Sequence, residues 1–145
     1  MAPCVKRILF VCTGNTCRSP MAEALARRQL DKLGRDDIMV ESAGLAADGS
    51  PLSANASAVL REIGLDIAGR PSRPVTADMC RAADILAVMS PAHAAALTLR
   101  FGADADKLRV LEIPDPFGGD MALYRLTRDK LDEAVKTLLG SLETA

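Results

Sequence analysis

The sequence predicts an α/β fold, a single domain over residues 1–145 in which four parallel strands form one sheet with helices on both faces. Short continuous apolar runs recur along the chain, as expected of strands buried on both faces. Amphipathic stretches of helical period separate them, and strands alternating with helices of this length form parallel sheets through right-handed crossovers. The length of 145 residues suits one domain, which at this size buries roughly 70% of the surface its unfolded chain exposes. No repeat, low-complexity tract or linker divides it.

The first strand is the run Lys-Arg-Ile-Leu-Phe-Val-Cys at residues 6–12, followed by the turn-rich Thr13-Gly14-Asn15-Thr16-Cys17-Arg18-Ser19. Ser19 offers a helix cap with Pro20 at the first helical position, and Ala22, Leu25, Ala26, Gln29 and Leu33 keep helical spacing until Gly34. Residues 38–43 make the second strand, ending at Gly44. Ala56, Val59, Leu60 and Ile63 give a second helix face, closed by Gly64. Residues 69–74, with two prolines and two arginines, read as a loop. Thr76-Ala77-Asp78 opens a short helix into Asp84. Residues 85–89 are the third strand, 91–101 a helix, and 108–113 the fourth strand. The loop Pro114-Asp115-Pro116-Phe117-Gly118-Gly119 follows, and Leu131, Ala134, Val135, Leu138 and Leu142 stripe a last helix. In such sheets ligands bind beyond the carboxyl ends of the strands, near the topological switch point. The loops after the first and fourth strands lie at that edge.

Composition excludes several function classes. Lys and Arg number 18 against 19 Asp and Glu, a formal charge of -1, whereas nucleic-acid and acidic-membrane binders need a positive surface field. No run approaches the ~20 apolar residues of a membrane span, and residues 1–7 lack the apolar stretch of a secretory signal. A cytoplasmic location is therefore expected, in which Cys4, Cys12, Cys17 and Cys80 stay thiols. Aromatic content is 3%, namely Phe10, Phe101, Phe117 and Tyr124 without any Trp, so any pocket is built almost without rings.

Gly14 and Asn15 tolerate left-handed backbone angles, so the loop from Cys12 to Arg18 can curl until its N–H groups converge. Such a ring of amides at a helix N-terminus is an anion site. The amides, the helix dipole and Arg18 all favour the thiolate form of a cysteine at its start. Arg18 can present a planar fork to two oxygens of a phosphoryl group. The arrangement places a thiolate under a cradled phosphate. The alternative is a Cys12 that merely ends a buried strand. Cys12 and Cys17 lack a second Cys/His pair, His93 being the sole histidine, so no metal site is expected. Neither Gly-x4-Gly-Lys-Ser/Thr nor Gly-x-Gly-x-x-Gly follows the first strand. Displacement at phosphorus needs a proton donor, and Asp115, held between two prolines at the ligand edge, is the best-placed acid; otherwise it is an ordinary turn aspartate.

The stretch Cys12-Thr-Gly-Asn-Thr-Cys-Arg-Ser-Pro20, with Ser42-Ala43-Gly44 and Asp115-Pro116-Phe117, resembles the low-molecular-weight protein-tyrosine phosphatases from the first strand to the last helix. The resemblance implies their Rossmann-like fold and catalysis without metal or other cofactor. Cys12 would form a phosphocysteine, Arg18 would hold the equatorial oxygens, and Asp115 would act as acid and then base. Thr13, Gly14, Asn15, Thr16, Cys17, Ser19 and Phe117 would form the substrate-binding set. Asn15, Ser19 and Ser42 would brace the loop, and Cys17 would trap an oxidised Cys12 as a reversible disulfide. The implied partners are phosphorylated proteins, with neither nucleic acid nor membrane. A monomer is the expectation.

The departures bear on substrate. Phe117-Gly118 stands where tyrosine-specific members carry two aromatics, and Leu45-Ala46-Ala47-Asp48 lacks their further ring. The sequence most resembles the protein-arginine phosphatase branch, through Thr16, the Asp-Pro-Phe-Gly-Gly loop and the Tyr-x-x-Thr-Arg-Asp pattern from Tyr124 to Asp129. Thr16 would narrow the pocket mouth and make it polar, favouring a slim guanidinium over a phenyl ring. Phosphotyrosine is the alternative substrate. An arsenate reductase or a non-catalytic phosphate-binding module are further readings, the former weakened because no partner thiol follows Cys80, which reads as buried. Arg70 stands at the position of the family's loop-bracing histidine and reads as a solvated loop charge.

Overall fold

The computed structural model describes residues 5–67 and 69–142, so that Cys4 and the rest of the residue 1–4 segment lie outside the described residues. Strands β1 (Arg7–Cys12), β2 (Met39–Gly44), β3 (Ile85–Val88) and β4 (Leu108–Val110) form one parallel sheet ordered β2-β1-β3-β4. Helices α1 (Arg18–Lys32), α2 (Ala54–Arg61), α3 (Ala77–Ala82), α4 (Pro91–Phe101) and α5 (Met121–Gly140) cover it.

The alternation of side chains along β1 builds two cores at once. Ile8, Phe10 and Cys12 face one side, with Met21 and Leu25 of α1, Val59 and Leu60 of α2, and Leu131 and Val135 of α5. Leu9 and Val11 face the other, with Cys80 of α3 and Leu97 of α4. Side chains as fully buried as Phe10, Met21, Leu25 and Leu131 contribute about 1.5–3 kcal/mol each. This is why the apolar run of β1 is continuous: neither of its faces meets water. The chain moves outward from β1 to β2 and then crosses back to β3, so the sheet's switch point lies between β1 and β3, and Cys12 ends the strand beside it.

Helix starts follow the chemistry of their caps. Ser53, Thr76, Ser90 and Asp120 each accept a backbone N–H of the first turn, for α2, α3, α4 and α5 respectively. Gly102, at φ 62, ends α4 with the left-handed turn that glycine adopts without cost.

Two boundaries differ from expectation in ways that matter. Helix α1 begins at Arg18, with Cys17 at the cap position and no side-chain cap, so Ser19 is not its cap. The Ser19 hydroxyl turns inward instead, to Cys12 and Asn15, and no side chain caps the helix start. Strand β4 pairs regularly only through Val110, not to residue 113, because Glu112 adopts a left-handed φ of 56. Backbone bonds from Leu111 to Val88 and from Ile113 to Met89 still carry the chain along β3, and the kink presents the Ile113 carbonyl to the site.

Candidate active site

The loop between β1 and α1 curls as its residue types dictate. Asn15 takes the left-handed conformation, φ 57, and its backbone N–H donates to Cys12 Sγ at 3.3 Å. Its buried side-chain amide donates to Ser19 Oγ at 2.8 Å and to Ser42 Oγ at 3.0 Å, while its Oδ1 accepts the Arg73 N–H at 3.0 Å. Ser19 Oγ lies 2.9 Å from Cys12 Sγ. One asparagine thus ties the Cys12 loop to α1, to β2 and to the residue 70–74 segment. A buried network in which each member is satisfied holds a single geometry.

Gly44, opposite Cys12 in the sheet register, is needed for close approach. A Cβ there would stand 2.7 Å from the Thr13 carbonyl oxygen and 2.9 Å from the Asn15 nitrogen, both backbone atoms of the loop. Gly44→Ala is expected to cost about 1–3 kcal/mol, the scale of overpacking, measured by urea denaturation, and to weaken binding of inorganic phosphate. An unchanged phosphate Kd would show that the loop's shape does not depend on this contact.

Behind the loop, Arg70 is not a solvated charge. Its guanidinium grips the fully buried carboxylate of Glu23 through both nitrogens, one at 2.5 Å, and Arg27 reaches the same carboxylate at 3.0 Å. Stranding a buried charge costs about 3–5 kcal/mol, so Glu23 of α1 demands such a partner. The pair pins the segment whose Arg73 N–H meets Asn15. Sequence reading missed it because nothing local links positions 23 and 70.

Cys12, Thr13, Gly14, Thr16, Cys17, Arg18, Asp115 and Phe117 line one cavity of about 260 Å³ at the carboxyl edge of the sheet. Of the residues expected in the substrate-binding set, Asn15 and Ser19 stand behind the loop rather than on the cavity wall. Arg18 is buried, and its Nη1 donates to the Ile113 carbonyl at 2.9 Å while Nη2 lies 3.7 Å from Asp115 Oδ2. Asp115, with its side chain 51% exposed, accepts the Phe117 N–H at 3.1 Å, which folds its loop over the cavity. Tyr124 of α5 places its hydroxyl 3.4 Å from Cys17 Sγ, and burial, with the Cys17 contact next, pushes the phenol up to about 12. Cys80 is buried on the far face of the sheet from Cys12, and burial pushes its thiol up. Among the described residues no group of three or more His, Cys, Asp or Glu side chains could hold a metal ion.

His93 went unnoticed as a site residue in the sequence. It is buried at the start of α4, with Nε2 2.9 Å from Thr13 Oγ1. The available signal was its place one turn into the helix that leaves the carboxyl end of β3, beside the switch point.

A 40% identical protein-arginine-phosphatase of Geobacillus stearothermophilus matches over 95% of this chain and 97% of its own length. An arsenate reductase of Bacillus cereus is 31% identical, over 90% of this chain and 92% of that protein. Among solved structures, that of the YwlE arginine phosphatase in a Cys-to-Ser form with a phosphorylated active-site serine superposes with a TM-score of 0.85. It is 35% identical and covers 92% of this chain and 93% of the other. The loop from Cys12 to Arg18 and Asp115 from the loop after the last strand line one cavity, and one family model matches the chain over residues 7–145. The chain belongs to the low molecular weight phosphotyrosine protein phosphatase family.

Proposed function

We propose that this chain hydrolyses phosphoarginine side chains of proteins through a phosphocysteine on Cys12. The observation that carries the substrate reading is the make-up of the cavity wall. Thr16 and the half-exposed Asp115 share it, and its one ring among the described residues, Phe117, is 82% exposed. A phenyl ring would find one loose wall, whereas a guanidinium finds a carboxylate acceptor and a polar threonine rim.

In the first step Cys12 Sγ attacks phosphorus and the P–N bond breaks. Asp115 gives its proton to the departing guanidine nitrogen, while Arg18 and the loop amides take up the charge on the equatorial oxygens. In the second step the Asp115 carboxylate accepts a proton from water, the water oxygen attacks phosphorus, and the S–P bond breaks. Phosphate leaves and the thiolate is restored. The phosphorylated serine in the related arginine phosphatase supports a covalent step at this position. An arsenate reductase relay would need further thiols within reach, and Cys80 lies across the sheet. Among the described residues no helix is long and apolar enough to cross a membrane; we place the chain in the cytoplasm, acting on phosphorylated proteins as a monomer.

The test compares kcat/KM for phosphoarginine and phosphotyrosine in peptides of otherwise identical sequence, with the phosphoarginine peptide expected to be preferred. A tyrosine preference would overturn the substrate and leave the reaction class standing. Thr16→Ile should move the ratio toward the aryl substrate by roughly tenfold or more, the scale on which one changed pocket contact discriminates. An unchanged ratio would mean that Thr16 is not the filter.

A further inference from the structure

His93 is a buried titratable group that the reaction scheme leaves unused. Its Nε2 is 2.9 Å from the hydroxyl of Thr13, and its Nδ1 is buried with no hydrogen-bond partner among the described residues. Thr13 lines the cavity together with Arg18 and Asp115. Among the described residues, the charged groups that act on His93 are Arg18 of α1 and Asp115 of the loop after β4.

The unpartnered Nδ1 decides where the proton sits. A buried N–H without an acceptor is costlier and rarer than a buried lone pair without a donor, so a neutral ring carries its proton on Nε2. Charging the ring would add an orphaned N–H beside a guanidinium. Burial first, and then Arg18, push His93 below its ordinary value against the opposing pull of Asp115. The imidazole is therefore a neutral donor, and Thr13 Oγ1 is its acceptor. A hydroxyl has one proton and two lone pairs. With one lone pair occupied from the protein side, the hydroxyl proton is free to point into the cavity.

The geometry points to His93 as a positioning residue, which fixes the Thr13 hydroxyl as a hydrogen-bond donor to the anion held over Cys12. This rests on the reading of the cavity as a phosphoryl site and adds a side-chain donor to its ring of amides. A donor set in advance needs no reorganisation when charge develops on the phosphoryl oxygens.

The test uses inorganic phosphate as the probe, titrated as a competitive inhibitor, with kcat/KM for the phosphoarginine peptide measured in parallel. Thr13→Val and His93→Ala should each raise the phosphate inhibition constant roughly tenfold, within the range for one hydrogen bond to a charged group. The double variant should be no worse than either single one, because both remove the same donor. Thr13→Ser, which keeps the hydroxyl, and His93→Gln, which keeps a donor, should recover most of the loss. Thr13 is exposed, so its variants read the site even where His93→Ala fails to fold. Nitrogen-15 spectra of the imidazole should show the proton on Nε2 and none on Nδ1 from pH 6 to 8. A proton on Nδ1, additive losses in the double variant, or a Thr13→Val protein with unchanged phosphate affinity would each overturn the proposal. Failure of the unsubstituted protein to bind phosphate would instead remove the phosphoryl site itself, and the proposal with it.

Discussion

Cys12→Ser should lower kcat by on the order of 10⁴-fold or more, the scale of removing a covalent nucleophile, while phosphate still binds. The two halves have separate causes. In the proposed mechanism turnover depends on the sulfur of Cys12 as nucleophile, and a serine hydroxyl is a far weaker one. Binding depends on the loop itself. That loop is held by Asn15 through Ser19, Ser42 and Arg73, and by Arg18 through the Ile113 carbonyl. None of those bonds uses the sulfur. Ser19 Oγ, now 2.9 Å from Sγ, can hydrogen-bond a hydroxyl as readily as a thiol, so the loop keeps its shape. The check is steady-state turnover of the phosphoarginine peptide beside a phosphate titration of the same preparation. Residual turnover above about one part in a hundred would mean that the reaction does not pass through this sulfur, since no weakened nucleophile retains so much.

What was legible in the sequence divides by how far apart the cooperating residues lie. The segment from Cys12 to Arg18 is short and continuous, and glycine, asparagine and a following helix constrain it locally, so its curl could be read in order. Asp115 was legible because prolines on both sides fix its loop and because parallel sheets present their ligand edge at the strand ends. The strand pattern was legible because β1 is buried on both faces and so carries an unbroken apolar run. The bracing of the loop by Asn15, Ser19 and Ser42 came from the family resemblance and is present, whereas the contacts made by Glu23 and His93 were not legible. Glu23 sits within a helix stripe, and only its complete burial, invisible in one dimension, calls for Arg70. His93 meets Thr13 because α4 starts beside the loop after β1, a neighbourhood created by the β1–β3 pairing. Only the cap reading of Ser19 failed, for a related reason. Ser-Pro is a good local cap signal, yet a hydroxyl that can reach both the Cys12 sulfur and the amide of Asn15 is worth more to the fold inside than at the helix end. Local chemistry proposes, and the contacts across the sheet decide.

Asp115→Asn should separate substrates by their leaving groups. Asparagine keeps the size of the side chain and an oxygen that can accept the Phe117 N–H, now bonded at 3.1 Å, so the loop over the cavity should hold its place. What is lost is the transferable proton. A guanidine nitrogen leaves phosphorus only when protonated, and positioned general acids contribute about 10²–10⁴-fold. A loss on that scale is expected in kcat/KM for the phosphoarginine peptide. p-Nitrophenolate departs as a stable anion and needs little help, so the same substitution should cost p-nitrophenyl phosphate less than about tenfold in kcat/KM. The choice of kcat/KM matters, because it counts events only through release of the leaving group. The second step, in which Asp115 would act as a base, falls outside it and is seen instead in kcat, which should drop for both substrates alike. Asp115 also stands 3.7 Å from the Arg18 guanidinium, so an electrostatic explanation is open. Neutralising the carboxylate would then change the hold on phosphate equally for every ester and amidate. Equal losses in kcat/KM on the two substrates would favour that explanation and refute the acid; a loss that grows with the basicity of the leaving atom can come only from proton transfer.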